Sequence, residues 1–506
     1  MLSRLVTVSL RGIVSGPSAN LIERAGLGRE REATAIEMDG GRRISYGEID
    51  EGVGRTARVL GEQYGVTKGD RILGRASKSI DTLQLYLAAL RLGAIYVPLN
   101  PQYTAEETTH FVTDAEPKLF VSSTVEEDGP RFRNRVPHIV DEAAIPRRSA
   151  DVKNGMTEVE HVKKDDVACI CYTSGTTGLP KGAQITHGNL VASAEALVKA
   201  WKFGPEDRLL HSLPFYHVHG MFISLNCALF SHSTVLWRER FTVEDTLEWL
   251  PKTTVFMGVP TFYVRLLNSP AFTKQAIPSS MRLFFSGSAP LSPATWQAFR
   301  ERTGHTIIER YGMTEAQVIC SNPYDGKRLC GSVGRPLPGT ELRLNDRDVI
   351  EIRSDSVFRG YWRNPAKTKE EFTKDGWFIT GDVGKIDDEG YVYIMGRGKD
   401  MVITGGLNVY PKQVEDVLDH VEGVAESAVI GVAHPDFGEA VVAVVALRKE
   451  PEDPAAEELR ILEEAKHKLA GYKMPKKVVF VDALPRNSMA KVQKNILREK
   501  FAELFK

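Results

Sequence analysis

Short apolar runs alternate with helical stretches from about residue 44 to residue 396, and this alternation limits the fold more than any other feature of the chain. Strands separated by helices are typical of α/β layers with mainly parallel sheets. Residues 123–165 interrupt the pattern because they are polar and irregular, and we expect a surface excursion there. The expected strands are residues 71–74, 94–99, 119–122, 167–172, 234–237, 254–257 and 283–286.

The pattern changes after residue 396, where the glycine-rich turn 396–400 begins. The roughly one hundred residues that follow suffice for a small domain of their own. We therefore expect a large layered N-terminal region, residues 23–396, and a small mobile α+β C-terminal lid, residues 397–506, that swings about residues 399–400. Within the lid, strands are expected at residues 401–404, 425–432, 440–447 and 477–481, and helices at 412–420 and 455–469.

Residues 1–22 carry two arginines and several serines, and no acidic residue precedes Glu23. The arginines are Arg4 and Arg11, and the apolar residues around them are spaced to form one face of a helix. These features are typical of a mitochondrial transit peptide, which predicts a location in the mitochondrial matrix. The alternative is an ordinary first helix of a cytoplasmic protein.

The charge and cysteine content argue against several other classes of protein. A formal net charge of −1 without a long basic run does not favour nucleic-acid binding. Five cysteines without paired C-x-x-C motifs indicate a reducing compartment, with neither a disulfide framework nor a structural zinc site. Cys169 and Cys171 lie two apart in an expected strand, so both should face the same buried side. No stretch is long and apolar enough to predict a membrane span.

A loop rich in glycine and hydroxyl residues carries the strongest chemical signal. It follows the expected strand 167–172 and ends in Pro180, Lys181 and Gly182. Its backbone N–H groups and hydroxyls are suited to phosphate oxygens, and Lys181 adds a cation, although the spacing is not that of the Walker motif. The residues expected to contact phosphate are Thr173, Ser174, Gly175, Thr176, Thr177, Gly178 and Lys181.

At this loop the chain resembles the adenylate-forming superfamily, which contains acyl-CoA synthetases, luciferases and the adenylation domains of peptide synthetases. The resemblance covers most of the chain, because six further motifs follow in the family's order. It implies that ATP activates a carboxylic acid as an acyl-adenylate, which is then passed to coenzyme A with release of AMP and pyrophosphate. The further motifs are residues 287–290, 309–315, 358–362, 377–382, 396–400 and 485–491.

The resemblance also implies the roles of residues at the nucleotide site. Asp382 would accept hydrogen bonds from both ribose hydroxyls, Arg397 would contact ribose or phosphate, and Glu315 with Thr176 would hold Mg²⁺. Lys491 would stabilise the charge that develops as the carboxylate attacks the α-phosphate. The implied catalytic residues are Lys491, Glu315, Thr176 and His217. The other implied ATP-binding residues are Gly287, Ser288, Ala289, Glu309, Arg310, Tyr311, Gly312, Met313 and Thr314, with the Tyr311 ring beside adenine.

Two positions depart from the family pattern. Ala490 stands where the family usually has glycine before the lysine. If that position needs a left-handed backbone, alanine costs about 1 kcal/mol there, which would slow adenylation. The loop at residues 345–348 is shorter than usual, and we expect a trimmed surface hairpin.

Among these enzymes the chain is most similar to the malonyl-CoA synthetases, including the mitochondrial malonyl and methylmalonyl enzymes. An arginine in the apolar segment 258–267 suits a dicarboxylate, because a guanidinium binds carboxylate bidentately whereas a pocket for fatty tails has no use for it. The resemblance implies that Arg265, Ser286 and Ser288 bind the distal carboxylate of malonate or methylmalonate, and that His217 lies by the adenylated carboxylate. It also implies a coenzyme A tunnel lined by Gly405, Gly406 and Leu407.

Two other functions fit parts of the sequence. An Arg265 that faces outward from a helix would favour an aryl or medium-chain acyl-CoA synthetase with an apolar pocket. Ala490 would also fit a protein that binds nucleotide but is catalytically silent. The sequence does not predict an oligomeric state.

Overall fold

The computed structural model describes residues 6–7, 19–173, 180–487 and 491–505. Most of the predicted transit peptide and Ala490 lie outside the described residues, as do Ser174, Gly175, Thr176, Thr177 and Gly178 of the predicted phosphate-binding loop.

The strands of the N-terminal region are β1 (Val6–Thr7), β2 (Thr34–Glu37), β3 (Arg43–Ser45), β4 (Arg71–Arg75), β5 (Ile95–Pro98), β6 (Leu119–Ser122), β7 (His138–Asp141), β8 (Val167–Thr173), β9 (Lys181–Thr186), β10 (Arg208–His211), β11 (Thr234–Trp237), β12 (Val255–Gly258), β13 (Leu283–Ser286), β14 (Ile307–Met313), β15 (Gln317–Ser321), β16 (Arg335–Pro336), β17 (Glu341–Leu344), β18 (Val349–Arg353), β19 (Phe378–Ile386) and β20 (Val392–Arg397). The C-terminal region contains β21 (Val402–Thr404), β22 (Leu407–Val409), β23 (Val424–His434), β24 (Gly438–Leu447) and β25 (Lys477–Phe480).

The α-helices are α1 (Leu21–Ala25), α2 (Tyr46–Tyr64), α3 (Ile80–Arg91), α4 (Ala105–Ala115), α5 (Val125–Phe132), α6 (Ala144–Ala150), α7 (His187–Trp201), α8 (Leu225–Ser231), α9 (Val243–Trp249), α10 (Pro260–Leu267), α11 (Pro293–Thr303), α12 (Pro365–Glu370), α13 (Pro411–Leu418), α14 (Pro454–Lys466) and α15 (Lys494–Lys500).

Two mainly parallel sheets form most of the N-terminal region. The larger sheet has the strand order β16-β15-β14-β13-β12-β10-β11-β2-β3, and the smaller has the order β7-β6-β4-β5-β8-β9. Central pairs such as β12 and β13 are parallel, whereas antiparallel pairs lie at the edges. The seven expected strands are present, and the predicted α/β class with mainly parallel sheets is confirmed.

The expectation of an irregular excursion at residues 123–165 is wrong in its first half. Helices α5 and α6 lie there, and β7 extends the smaller sheet by pairing in parallel with β6. The buried apolar residues Phe132 and Ile145 are far apart in sequence. An internal ion pair between Asp128 and Arg75 takes the place of an apolar contact. The apolar periodicity is therefore too sparse to reveal these elements.

A third, antiparallel sheet has the order β1-β17-β18-β19-β20. The turn at residues 345–348 joins β17 to β18 as a tight hairpin, as expected. In the last strand pair, Asp382 on β19 lies directly opposite Arg397 on β20. This sheet therefore presents two of the predicted nucleotide-binding residues side by side.

The C-terminal domain has its own sheet, with the order β22-β21-β24-β23 and β25 added parallel to β24. Its core joins the sheet to α13 through Val414 and Leu418 and to α14 through Ile461. The chain passes from β20 to β21 through a short 3₁₀ turn, Gly398–Asp400. The predicted division into a large N-terminal and a smaller C-terminal domain is confirmed.

The N-terminal end of the described chain is part of the fold. The side chain of Asn20 is buried, accepts from the backbone N–H of Ile22 and donates to the carbonyl of Leu90. Leu21 and Ile22 belong to the large apolar core. Upstream, the segment Val6–Thr7 pairs with β17 as a strand and not as the helix expected for this segment.

In the ranges described above, no helix combines the length and apolar character that a bilayer crossing requires. These same ranges contain no cluster of three or more His, Cys, Asp or Glu side chains arranged around a metal position. Cys169 and Cys171 are buried free thiols on β8, in agreement with the sequence prediction.

Candidate active site

Tyr311 joins the two halves of the predicted nucleotide site. Its hydroxyl, on β14, donates to Oδ2 of Asp382 at 2.5 Å. The other carboxylate oxygen, Oδ1, lies 3.1 Å from Nε of Arg397. The charge of Asp382 raises the pKa of Arg397, so the guanidinium remains protonated. Three residues predicted for the nucleotide are therefore in contact.

Glu315 is another buried carboxylate of the site. Its Oε1 accepts a hydrogen bond of 3.0 Å from the hydroxyl of Tyr361, and burial raises its pKa. Nζ of Lys181, at the start of β9, lies 5.4 Å from the centroid of the Tyr361 ring. One carboxylate with spare acceptor capacity suits Mg²⁺, which takes its other ligands from phosphate and water. The second predicted metal ligand, Thr176, lies outside the described residues.

Lys491 brings the C-terminal domain to this cleft. Its backbone N–H donates to Oδ1 of Asn487 at 3.0 Å. Desolvation in the cleft and the charge of Arg397 lower the pKa of Lys491, whereas Asp382 and Glu315 oppose that shift. The predicted catalytic cation thus faces the predicted nucleotide residues across the domain boundary.

Two histidines lie where the acyl group is predicted to enter. The backbone N–H of His219 donates to Nδ1 of His217 at 3.3 Å, and Nδ1 of His219 lies 3.2 Å from Oγ of Ser288. Burial lowers the pKa of His217 to about 3, and the charge of Arg310 acts in the same direction. His217 is therefore neutral at physiological pH. A π-helical turn, His219–Ser224, follows, and such turns are frequent at functional sites.

Arg265, predicted for the acyl group, and Arg310, predicted for ATP, occupy contrasting positions. Arg265 is exposed on α10 and has no ion-pair or hydrogen-bond partner in the described part of the chain. Arg310 is buried on β14, and its Nε and Nη2 atoms also have no partner there. A Cβ atom at Gly287 would lie 2.5 Å from Cζ of Arg310, so the guanidinium packs directly across the predicted adenine loop. Oγ of the buried Ser286 is another polar atom without a described partner.

The remaining predicted nucleotide residues lie around the ends of β13 and β14. Oε1 of Glu309 accepts from the backbone N–H of Leu291 at 3.2 Å, and burial raises the pKa of Glu309 to about 7. Gly312 makes a close approach, because a Cβ atom there would lie 1.8 Å from the carbonyl oxygen of Gln317. Ser288 has a left-handed φ of 70°. Thr173 ends β8, and Ala289, Met313 and Thr314 are half-buried.

Gly405, Gly406 and Leu407 form the turn between β21 and β22 of the C-terminal domain. Both glycines have a left-handed φ, 55° and 77°, and all three residues are exposed. The absence of side chains at the glycines leaves room for a narrow ligand to approach the backbone.

For several residues of this cleft, the sequence did not predict the contacts that the structure shows. Tyr361 lies in a recognised motif, yet only the structure shows its contact with Glu315. Lys399, in the 3₁₀ turn, has its pKa lowered to about 8 by desolvation and by Arg397. The position of Arg310 was also missed, although side chains alternate along a strand and Arg310 must face away from Tyr311.

The side chains fall into two chemically distinct groups. The first group contains a carboxylate that lies close to cations, as the binding of a ribose and a phosphate requires. The other carries a neutral histidine, buried hydroxyls and a guanidinium, which suit a small polar acid rather than an alkyl chain. An ATP-dependent activation of a carboxylic acid would need both groups, together with a cation such as Lys491.

Comparison with known proteins also indicates an enzyme that uses ATP to activate a carboxylic acid. Residues 23–362 match the AMP-binding enzyme family, and residues 413–491 match the AMP-binding enzyme C-terminal domain. The chain is 34% identical to the malonate–CoA ligase of Arabidopsis thaliana, over 92% of this chain and 86% of that protein. It is 33% identical to the mitochondrial malonate–CoA ligase of Mus musculus, over 87% and 83% respectively.

Among solved structures, ATP-bound MatB from Rhodopseudomonas palustris superposes with a TM-score of 0.92 at 45% identity, covering 97% of this chain and 100% of that one. The apo form of the same protein superposes with a TM-score of 0.81 at the same identity and coverage. The arrangement described here is thus nearer to the ATP-bound form.

The chain therefore belongs to the AMP-binding enzyme family. It is an AMP-forming acid–CoA ligase, with a carboxylic acid, ATP and coenzyme A as its substrates.

Proposed function

We propose that this acid–CoA ligase converts malonate to its CoA thioester through malonyl-adenylate, with methylmalonate as a second substrate. The observation that carries the proposal is the polar lining of the acyl pocket. Ser286 and Arg310 bury donors that have no partner among the described residues. An alkyl or aryl tail would leave those donors unsatisfied, at a cost of about 1–3 kcal/mol each. The relatives named malonate–CoA ligase support the same substrate.

In this proposal, Arg265, Ser286 and Ser288 contribute to binding the distal carboxylate, and His217 lies beside the carboxylate that reacts. Arg265 is exposed, so solvent would weaken its contribution. Lys491 stabilises the negative charge that develops at the α-phosphate as the carboxylate attacks.

Asp382, Tyr311 and Arg397 hold the ribose side of ATP, and the loop at residues 173–178 with Lys181 holds the phosphates. Glu315, together with Thr176, would hold Mg²⁺. When bound, the ion would neutralise phosphate charge and orient the leaving pyrophosphate.

We further propose that the C-terminal domain, from about residue 397, is mobile and serves both half-reactions. Lys491 faces the cleft during adenylation. The turn at Gly405, Gly406 and Leu407 replaces it to admit the pantetheine arm of coenzyme A. The two TM-scores with MatB support this motion, because one protein in two states fits this chain to different degrees. Gly398–Asp400 is the place for the hinge, since this short 3₁₀ turn joins β20 of the N-terminal region to β21 of the C-terminal domain.

For location we propose the mitochondrial matrix, with residues 1–22 containing the targeting signal and the cytoplasm as the alternative. The basic, acid-free start and the mitochondrial mouse relative support it. Asn20, Leu21 and Ile22 are buried in the fold, so we expect any cleavage to occur before Asn20. A fluorescent fusion of residues 1–22 that stays in the cytosol would remove this support.

The substrate is tested by a panel of acids assayed for ATP- and CoA-dependent AMP release. Malonate should give the highest kcat/KM, followed by methylmalonate, with octanoate and benzoate at least about a hundredfold lower, since two buried donors would be left unpaired. The exposed position of Arg265 favours the alternative, an aryl or medium-chain acyl-CoA synthetase, and higher activity with benzoate or octanoate would establish it. No adenylate in a single turnover with any acid would favour a catalytically silent nucleotide-binding protein.

A further inference from the structure

Lys78 connects the two mainly parallel sheets at the ends of their strands. It lies in the turn after β4 of the smaller sheet, and its side chain reaches His211, the last residue of β10 in the larger sheet. Nζ lies 2.8 Å from Nδ1 of His211, 2.9 Å from the carbonyl oxygen of His211 and 3.0 Å from that of Leu213. Nζ also lies over the Trp237 ring, 4.8 Å from its centroid. Two carbonyls that follow β10 are therefore fixed by a residue of the other sheet.

The hydrogen bonds of His211 show where its proton lies. Burial and the charge of Lys78 lower the pKa of His211 to about 3, so the ring is neutral and carries one proton. Nε2 lies 2.9 Å from the carbonyl oxygen of Gly220, which can only accept, so that proton is on Nε2. Nδ1 is then an acceptor, and Nζ of Lys78 donates to three acceptors, which requires an ammonium group. Burial lowers the pKa of Lys78, but these acceptors and the Trp237 ring stabilise its charged form.

Together the two side chains close the segment 212–219, which we call the acyl loop. Lys78 holds the start of this loop through two backbone carbonyls, and His211 holds Gly220, the residue that follows the loop. The two ends are in contact, because a Cβ atom at Gly220 would lie 2.2 Å from the carbonyl oxygen of Pro214. The shape of the acyl loop therefore depends on two side chains that lie outside it.

The acyl loop carries His217, which we have proposed to lie beside the reacting carboxylate. Its carbonyl accepts from the backbone N–H of Met221 at 2.9 Å, and its Nδ1 accepts from the backbone N–H of His219 at 3.3 Å. The backbone at the end of the loop therefore orients the imidazole. Burial lowers the pKa of His217 to about 3, so the neutral ring has its one proton on Nε2 and presents a donor to a substrate oxygen.

We propose that Lys78 and His211 are positioning residues for adenylation, which close the acyl loop and thereby place Nε2 of His217 at the carboxylate that reacts. Neither residue contacts the substrate in this proposal, and both act through His217. The inference rests on the proposed role of His217 but not on which acid is the substrate. A displacement of a reacting group by about 1 Å costs roughly a hundredfold in rate, so an open loop should slow adenylate formation.

Three variants open the acyl loop in different ways. Lys78→Met removes the ammonium group, His211→Phe keeps an aromatic ring but removes both hydrogen bonds, and Gly220→Ala forces the two ends apart. Each should lower the single-turnover rate of malonyl-adenylate formation about tenfold to a hundredfold, with an unchanged dependence on ATP concentration. Lys68→Met is the matched control, because Nζ of Lys68 also donates to a backbone carbonyl, that of His161, at 2.8 Å. This control should leave the rate unchanged.

A double-variant cycle separates positioning from a purely structural role. In a His217→Ala background, Lys78→Met should cost less than about twofold, because the group that Lys78 positions is already absent. Equal losses in both backgrounds, or no loss from Lys78→Met with His217 present, would overturn the proposal. If Lys78→Met does not fold, as judged by thermal unfolding, His211→Phe takes its place in the cycle.

Two further outcomes distinguish this proposal from the proposed function. An unchanged rate of adenylate formation in His217→Ala would refute the role of His217 and, with it, the role of Lys78. A wild type that prefers octanoate or benzoate would refute malonate as the substrate only. The cycle is then measured with the preferred acid, and the same results support or overturn the role of Lys78.

Discussion

Two buried arginines, in different sheets of the N-terminal region, show how the same side chain serves two purposes. Arg75, on β4 of the smaller sheet, is 1% exposed and forms an ion pair of 2.8 Å with Asp128. It also donates to the carbonyl of Tyr103 and to Thr108. Arg310, on β14 of the larger sheet, is almost as deeply buried but lacks such partners in the described chain. The described fold neutralises the charge of Arg75 with Asp128 and provides no counterion for Arg310.

This difference separates the two regions in function as well. Around Arg75 the charges are paired within one domain, which stabilises the sheet and needs no ligand. Under the proposed function, Glu315, Lys491 and Arg310 acquire their full set of partners only with substrate, nucleotide or a particular lid position. The following variants test this contrast, beginning with the largest expected effect.

Asp128→Asn should destabilise the N-terminal region by about 3–5 kcal/mol, because it leaves Arg75 buried without its counterion. The measurement is the thermal unfolding temperature. The control is a double variant, Arg75→Met and Asp128→Leu, which removes both charges. The double variant should recover most of the lost stability. If Asp128→Asn unfolds at the wild-type temperature, Arg75 is not a structural charge and the comparison with Arg310 fails.

Lys491→Ala should lower the rate of adenylate formation about a hundredfold to a thousandfold, since a cation that acts on the transition state is lost. Thioester formation from supplied malonyl-adenylate and coenzyme A should change little, because that step uses the other lid position. Both half-reactions are measured in single turnovers. Lys468→Ala, at an exposed lysine of the same domain without a described partner, is the control. Equal losses in both half-reactions of a folded variant would contradict an alternating lid.

How much of this could be read from the sequence differs between the two regions. The nucleotide motifs are short and contiguous, so Asp382, Glu315 and Arg397 could be assigned from the family resemblance, and the structure brings Asp382 and Arg397 into contact. The smaller sheet was harder, because α5 and β7 depend on the long-range pair between Arg75 and Asp128. Arg310 was assigned with its motif, yet its close packing against Gly287, the residue after β13, depends on a contact that is distant in sequence.

Tyr361→Phe should weaken the ATP reaction about tenfold, because the carboxylate of Glu315 loses its hydrogen bond from the Tyr361 hydroxyl. Under the proposed Mg²⁺ role, the concentration of Mg²⁺ needed for half-maximal rate should rise, while the KM for the acid stays constant. Tyr393→Phe is the control, because its hydroxyl hydrogen-bonds to Asp387 on the same sheet. A change in the KM for malonate without a change in Mg²⁺ dependence would assign Tyr361 to the acyl pocket instead.

Glu309→Gln should have the smallest effect, visible only as a change in the pH dependence of stability. Burial raises the pKa of Glu309 to about 7 in the folded protein, against an ordinary value of 4.5. Between those values the folded state holds a proton that the unfolded state has lost, so stability falls as pH rises and levels off above pH 7. The backbone N–H of Leu291 and the nearby Lys412 stabilise the ionised form, whereas Asp416 opposes it.

Relative to Glu309→Gln, the wild type should lose about 1 kcal/mol between pH 6 and pH 7.5. Only the difference between the two proteins is diagnostic, because buried histidines such as His187, with a pKa lowered to about 4, shift stability in the opposite direction in both. Parallel pH profiles of unfolding temperature for the two proteins would show that Glu309 is ionised in the fold, with a partner that neutralises it as Asp128 neutralises Arg75.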